Sequence, residues 1–339
     1  MTRIGAFISG CAGLQLSDAE RDFFRRTSPW GLIVFKRNCE TPAQLAALTA
    51  DFRACVGRKN APVLVDQEGG RVQRLGPPSN SWRKYPSARA FGDRYAQSPV
   101  DALRAARYLA RLMAADMIAS GITVDCLPVL DVPQAGAHDV IGNRAYSMAR
   151  DEIIALGRAH VAGLMDGGVL PVMKHIPGHG RAKADSHMAL PVVDTPLDEL
   201  RVTDFAPFAA LADLPMAMSA HVVYTAIDKT APATLSSKVI KKIIRGEIGF
   251  DGLLMTDDLS MKALSGSFTE KVQRALAAGC DVVLHCGGNL AEMEEVAAAA
   301  GELKGKALRR ARAAQKMARK PAKFDTRAAL KDWESLATG

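Results

Sequence analysis

Eight short apolar runs recur along this chain, each separated from the next by a stretch with helical character. They are Ile4–Ile8, Gly31–Phe35, Pro62–Val65, Val124–Leu130, Leu170–Met173, Met216–Ser219, Gly252–Met255 and Asp281–Leu284. Continuous apolar runs of this length suit strands of a parallel sheet, which are covered on both faces. Helix start signals fall between them. Ser17-Asp18-Ala19-Glu20 is a capping box ahead of Phe23 and Phe24. Thr41-Pro42 and Thr195-Pro196 each pair a threonine N-cap with proline at the first helical position. The alanine-rich stretch Asp101–Ser120 predicts a long helix, which Gly121 is placed to end. Eight strand–helix repeats predict a closed (β/α)8 TIM barrel, an α/β fold, as a single domain over residues 1–339. An open doubly wound sheet is the competing architecture, but no G-x-G-x-x-G follows the first strand.

A barrel of this kind carries its chemistry at the C-terminal ends of its strands. The residues just after the apolar runs include Asp66, Asp131, Lys174-His175, His221, Asp257 and His285. Six of the eight predicted strands thus end in an ionisable group, which reads as one composite polar site.

Bulk properties exclude several other functions. No apolar run approaches the roughly 20 residues needed to span a bilayer. Ile8-Ser9-Gly10-Cys11 resembles a lipoprotein cleavage site, but the apolar segment before it is shorter than a signal h-region of about 7–15 residues. Six cysteines without any C-x-x-C spacing suggest reduced thiols and a cytoplasmic setting. The net charge of +8 arises within residues 301–323, where nine basic residues face one acid, Glu302. That segment reads as a late helix with a solvated basic face. Aromatic residues make up only 6% of the chain, too few for nucleic-acid stacking platforms.

Four segments have the composition of a site. Asp66-Gln67-Glu68-Gly69-Gly70-Arg71-Val72-Gln73-Arg74 combines carboxylates, guanidinium groups and paired glycines, a mixture suited to a polyhydroxylated ligand such as a sugar. Ile141-Gly142-Asn143-Arg144-Ala145-Tyr146-Ser147 lies in a long loop after Asp131, from which Arg144 could reach the site. Lys174-His175-Ile176-Pro177-Gly178-His179-Gly180 leads into Arg181-Ala182-Lys183-Ala184-Asp185-Ser186-His187. His175 and His179 have the i, i+4 spacing of a metal pair, but Pro177 and Gly178 forbid an ordinary helix and no third ligand follows at a recognisable spacing. No metal or other cofactor is therefore expected. Asp185 beside His187 suits a movable acid/base pair, with His179 shaping the turn. In Leu253-Leu254-Met255-Thr256-Asp257-Asp258-Leu259-Ser260-Met261, strand alternation lets one aspartate face the site centre. Asp257 is the predicted nucleophile, Asp258 the cap of the next helix, and His221 a structural member of the site.

Taken together, Asp66 through Arg74, Lys174 through Gly180 with Asp185-Ser186-His187, and Thr256 through Met261 resemble glycoside hydrolase family 3. The likeness is to its single-domain bacterial β-N-acetylglucosaminidases of peptidoglycan recycling. It implies a retaining double displacement on muropeptide fragments bearing 1,6-anhydro-N-acetylmuramic acid. Asp257 matches the nucleophile, and His187, oriented by Asp185, matches the acid/base. Asp66, Arg74, Arg144, Lys174 and His175 match the positions that hold the terminal sugar. The expected partner is a small carbohydrate, with no nucleic acid and no membrane, and a monomer is favoured.

Retaining glycosidases usually pair two carboxylates about 5–5.5 Å apart. Here a histidine–aspartate dyad replaces one of them, so phosphorolysis is an alternative to hydrolysis. Ile176 and Thr256 stand where the family often has phenylalanine and serine. Many relatives carry a second α/β domain, which this chain is too short to contain.

Overall fold

The computed structural model describes residues 3–79, 81–182, 184–186, 188–327 and 329–331. Eight parallel strands close into a barrel in sequence order. They are β1 (Gly5–Ser9), β2 (Pro29–Val34), β3 (Val63–Val65), β4 (Val124–Asp125), β5 (Leu170–Ile176), β6 (Met216–Ser219), β7 (Leu253–Asp258) and β8 (Val282–His285). β1 pairs with β8 through Phe7↔Val283 and Ile8↔Leu284, which closes the ring. The predicted (β/α)8 barrel is therefore the observed fold.

Every predicted run contains a strand, but the fourth is shorter than expected. Its regular ladder ends at Asp125, and Val129 makes only an isolated bridge to Lys174. Pro128 has no N–H to donate, so that side of the ladder is interrupted. Its carbonyl still accepts from the Lys174 amide at 3.0 Å.

The helices pack outside the barrel for reasons visible in their sequences. Ser17 Oγ accepts from the Glu20 amide at 3.2 Å, and the Glu20 carboxylate accepts from the Ser17 amide at 2.8 Å. That box starts helix Asp18–Thr27, whose Phe23 and Phe24 link Phe7 of β1 to Phe52 of helix Pro42–Cys55 by edge-on ring contacts. Such contacts add roughly 0.5–1.5 kcal/mol each beyond burial. The long helix runs Pro99–Ala119. Thr195 does not cap: the short helix Leu197–Val202 begins after Pro196 without a side-chain cap. The basic segment forms a helix only over Gly305–Lys316, where Arg310 pairs with Asp251 and Asp281.

Two irregularities in register matter for the site. Between β5 and β6 the pairing shifts between Lys174 and Ile176, and between β7 and β8 it shifts between Met255 and Asp258. In both cases the first strand of the pair spends one more residue than its partner, as a bulge does, and a bulge re-aims side chains at a strand end. Both shifts lie at the C-terminal rim.

Candidate active site

One cavity opens at that rim, and six of the residues expected from sequence line it: Asp66, Arg74, Arg144, Lys174, His175 and Asp257. Asp66 follows β3 directly. The chain then folds back through a small antiparallel ribbon, Gln67–Gly69 with Val72–Gln73, which returns Arg74 to Asp66. Gly69 and Gly70 have φ of +86° and +57°, and a Cβ on Gly69 would lie 2.2 Å from the Pro86 carbonyl oxygen. The glycine pair is therefore required by the turn itself.

The wall between β3 and β5 is a dense ion-paired cluster. Asp66 accepts from Lys174 Nζ at 2.9 Å through Oδ1 and from Arg74 at 3.0 Å through Oδ2. Glu68 lies 2.6 Å from the same Nζ and takes two 2.8 Å bonds from Arg144. Burial pushes both carboxyl groups up, but the adjacent cations outweigh it. Lys174 and Arg74 hold Asp66 well below the usual carboxylate range, and Arg144 and Lys174 hold Glu68 at about 2. Burial alone would lower Lys174, yet Asp66 and Glu68 keep its ammonium charged far above its ordinary value. Glu68 was not singled out from sequence, although its place two residues after Asp66 was a usable signal, since i and i+2 share a face in extended chain.

Asp131 organises the histidines. Its carboxylate lies 2.7 Å from His175 Nδ1 and accepts from the His175 and His179 amides at 3.2 and 2.6 Å. A proton on Nδ1 satisfies that bond and leaves His175 Nε2 on the cavity side, 3.5 Å from Arg144. Burial raises the Asp131 carboxyl, but His175 outweighs it and the group sits at about 2. His179 contacts Ser186 Oγ at 3.1 Å, and burial, helped by His175, lowers its imidazole to about 4.

On the opposite wall the Asp257 side chain is sparsely bonded. Asp257 is partly open to the cavity, and its one hydrogen bond among those resolved comes from the Asp258 amide at 2.8 Å. Burial raises its carboxyl, but His175, His221 and Lys174 act from a distance and leave it below its ordinary value. Among the described residues, it is an ionised carboxylate with lone pairs left unfilled.

Three expectations need correction. Asp257 and Asp258 both line the cavity, because the β7 bulge breaks the alternation that would have allowed only one. Asp258 caps no helix: it accepts from the Ser260 and Cys286 amides in a turn, and the next helix is capped by Ser267. His285 leaves the composite site. Leu284 faces the cavity, so the next residue on the strand points outward, to Glu292 at 3.1 Å and the Phe268 ring. His221 is structural as expected, bonded to Thr234 and the Asp258 carbonyl at 2.8 and 3.0 Å.

Ser186 lines the cavity and its carbonyl accepts from the Ala263 amide at 3.2 Å. Asp185 is not among the lining residues; its carbonyl accepts from the Met188 and Ala189 amides. His187 lies outside the described residues. Among the described residues, no three His, Cys, Asp or Glu side chains gather as metal ligands would. No helix among them is long and apolar enough to cross a membrane.

The chain is similar to known proteins over most of its length. The model of the glycosyl hydrolase family 3 N-terminal domain matches residues 11–319. A protein of Bordetella avium named beta-hexosaminidase is 39% identical over 288 residues, covering 83% of this chain and 80% of that one. A beta-hexosaminidase of Chromobacterium violaceum is 38% identical over 286 residues, covering 83% and 78%. Among solved structures, NagZ from Neisseria gonorrhoeae in complex with N-trifluoroacetyl-D-glucosamine superposes with a TM-score of 0.83 at 30% identity, covering 99% of this chain and 98% of that one. With a strand-end cavity of carboxylates and cations on a closed barrel, and with these matches, the chain belongs to glycosyl hydrolase family 3.

Proposed function

We propose that this glycosidase is a retaining exo-β-N-acetylglucosaminidase. In this reading it removes terminal β-linked N-acetylglucosamine from muropeptide fragments bearing 1,6-anhydro-N-acetylmuramic acid, in peptidoglycan recycling. The observation that carries the reading is the contrast at the cavity. An ionised Asp257, with lone pairs unfilled by the described residues, faces a wall of fixed, paired charges suited to sugar hydroxyls. The beta-hexosaminidase names of the relatives support the acetamido sugar. Six free cysteines agree with a cytoplasmic setting, where the chain would act as a single-domain monomer on a small carbohydrate.

Two displacements make up the reaction. Asp66, Arg74, Arg144, Lys174 and His175 hold the terminal sugar so that its anomeric carbon faces Asp257. An Asp257 oxygen attacks that carbon as the glycosidic C–O bond breaks, and His187 gives its proton to the leaving oxygen. The product is a glycosyl ester on Asp257. His187, oriented by Asp185, then takes a proton from water, whose oxygen attacks the same carbon and releases the Asp257 carboxylate. Inversion twice returns the β-anomer. A histidine with a reference pKa of about 6.5 serves both as acid and as base near neutral pH.

The test is product analysis on N-acetylglucosaminyl-1,6-anhydro-N-acetylmuramic acid by proton NMR, with and without phosphate. Release of β-N-acetylglucosamine first is the expected result. First release of the α-anomer would overturn the retaining mechanism, an intact disaccharide would overturn the substrate, and a sugar phosphate as main product would replace hydrolysis by phosphorolysis.

A further inference from the structure

Asp66 and Glu68 sit side by side under the same lysine, yet they are used differently. The Asp66 side chain is 14% exposed and takes one cation on each oxygen. The Glu68 side chain is 2% exposed and takes three charge-assisted contacts, two from Arg144 and one from Lys174. Little of Glu68 remains to meet a sugar.

A two-pronged guanidinium joined by an ammonium is how proteins hold a free carboxylate or phosphate. Here that clamp is already filled from within the chain. We propose that Glu68 is a built-in anion that occupies the Arg144–Lys174 clamp and so restricts the terminal-sugar position of the cavity to neutral sugars. It acts on the ligand through those two cations and is a positioning and specificity residue, not a catalytic one. The inference rests on the sugar-pocket reading above.

Charge at this wall supports it. Three cations, Arg74, Arg144 and Lys174, face two acids, Asp66 and Glu68. Asp131 is engaged by His175 and His179, Asp125 accepts from the Gln67 amide, and Asp257 stands on the far wall. Without Glu68, three cations would face one acid, and an anionic ligand would take the empty place. With Glu68 in position, a sugar carboxylate or phosphate meets a like charge at a clamp that is already filled, which selects against it.

The experiment compares the full-length wild type with Glu68→Ala, Glu68→Gln and Glu68→Asp. Sulfate and formate binding are measured by calorimetry, and hydrolysis of an aryl N-acetylglucosaminide is measured with and without formate. Glu68→Ala should bind sulfate where the wild type does not, and the binding should vanish again in Glu68→Ala/Arg144→Met. Its KM should rise about tenfold or more, as expected for losing charged hydrogen bonds, with kcat changed less. Formate should return KM toward the wild-type value, and Glu68→Asp should retain most of the function. Absence of both anion binding and formate rescue in a folded Glu68→Ala would overturn the proposal. If that variant does not fold, sulfate binding by Glu68→Gln decides in the same way. If the wild type leaves the aryl glycoside intact, the glycosidase reading fails, while the calorimetry still decides for or against Glu68.

Discussion

The two walls of the cavity are built on opposite plans. Between β3 and β5, Asp66, Glu68 and Asp131 are each held by two or more partners at 2.6–3.2 Å. At the end of β7, Asp257 has one backbone amide and no adjacent cation among its resolved contacts. Saturated carboxylates are poor nucleophiles but rigid fixtures, and their partners present fixed donors to a ligand. An unsaturated carboxylate at a bulge keeps its lone pairs for reaction. On the proposed mechanism, the difference separates holding from attacking and assigns the two functions to different strands.

If this division is right, the largest loss should come from the sparse wall. Asp257→Ala should lower kcat for an aryl N-acetylglucosaminide by at least about 10³-fold, as expected when a covalent nucleophile is removed. A smaller loss than that of Glu68→Ala would break the comparison. Next comes the acid/base. His187→Ala should cost about 10²-fold or more with poor leaving groups, the range for general acid catalysis, and much less with activated ones. Equal losses across leaving groups would count against the role.

Asp131→Asn should act in the other direction, raising KM more than it lowers kcat, because it loosens His175 without touching the nucleophile. It also has a pH signature. Burial raises this carboxyl but His175 pulls it down to about 2, below the ordinary aspartate value near ~3.9. The unfolded chain therefore binds this proton first as pH falls. The charged group contributes stability that is complete above the ordinary value and lost toward pH 2. Denaturant melts of Asp131→Asn should lose that part of the acid slope, and an unchanged slope would contradict the assignment. The smallest effect belongs to Glu292→Gln, since its partner His285 faces away from both walls. Activity should stay within about twofold and stability within about 1 kcal/mol, the usual range for a partly exposed polar contact. A large activity loss would bring His285 back into the site.

Much of the barrel was legible from apolar runs alone because strands covered on both faces leave a continuous signature. The limits of legibility were local. Pro128 cut the fourth ladder, a backbone effect that hydropathy does not register. Thr195 had the residue type of an N-cap but the helix began two residues later. At the rim, strand-end position found Asp66 and Lys174, while alternation misjudged Asp258, because a bulge changes the count by one and carries no fixed sequence mark. His285 failed for the complementary reason: it follows ordinary alternation after Leu284, so a strand-end position alone did not bring it inside. Glu68 was hidden in a motif read as a whole. Its distinct task depends on Arg144, which comes from a loop 76 residues away along the chain.

The central claim is that the loosely held Asp257 is the group that bonds to the sugar. Its most direct test is intact-protein and peptide mass spectrometry after incubation with a slow fluorinated N-acetylglucosaminyl donor that accumulates the intermediate. The account predicts one added sugar residue, mapped to Asp257 and absent in Asp257→Ala. An adduct on Asp66, Glu68 or Asp258, or turnover with inversion and no adduct, would contradict it.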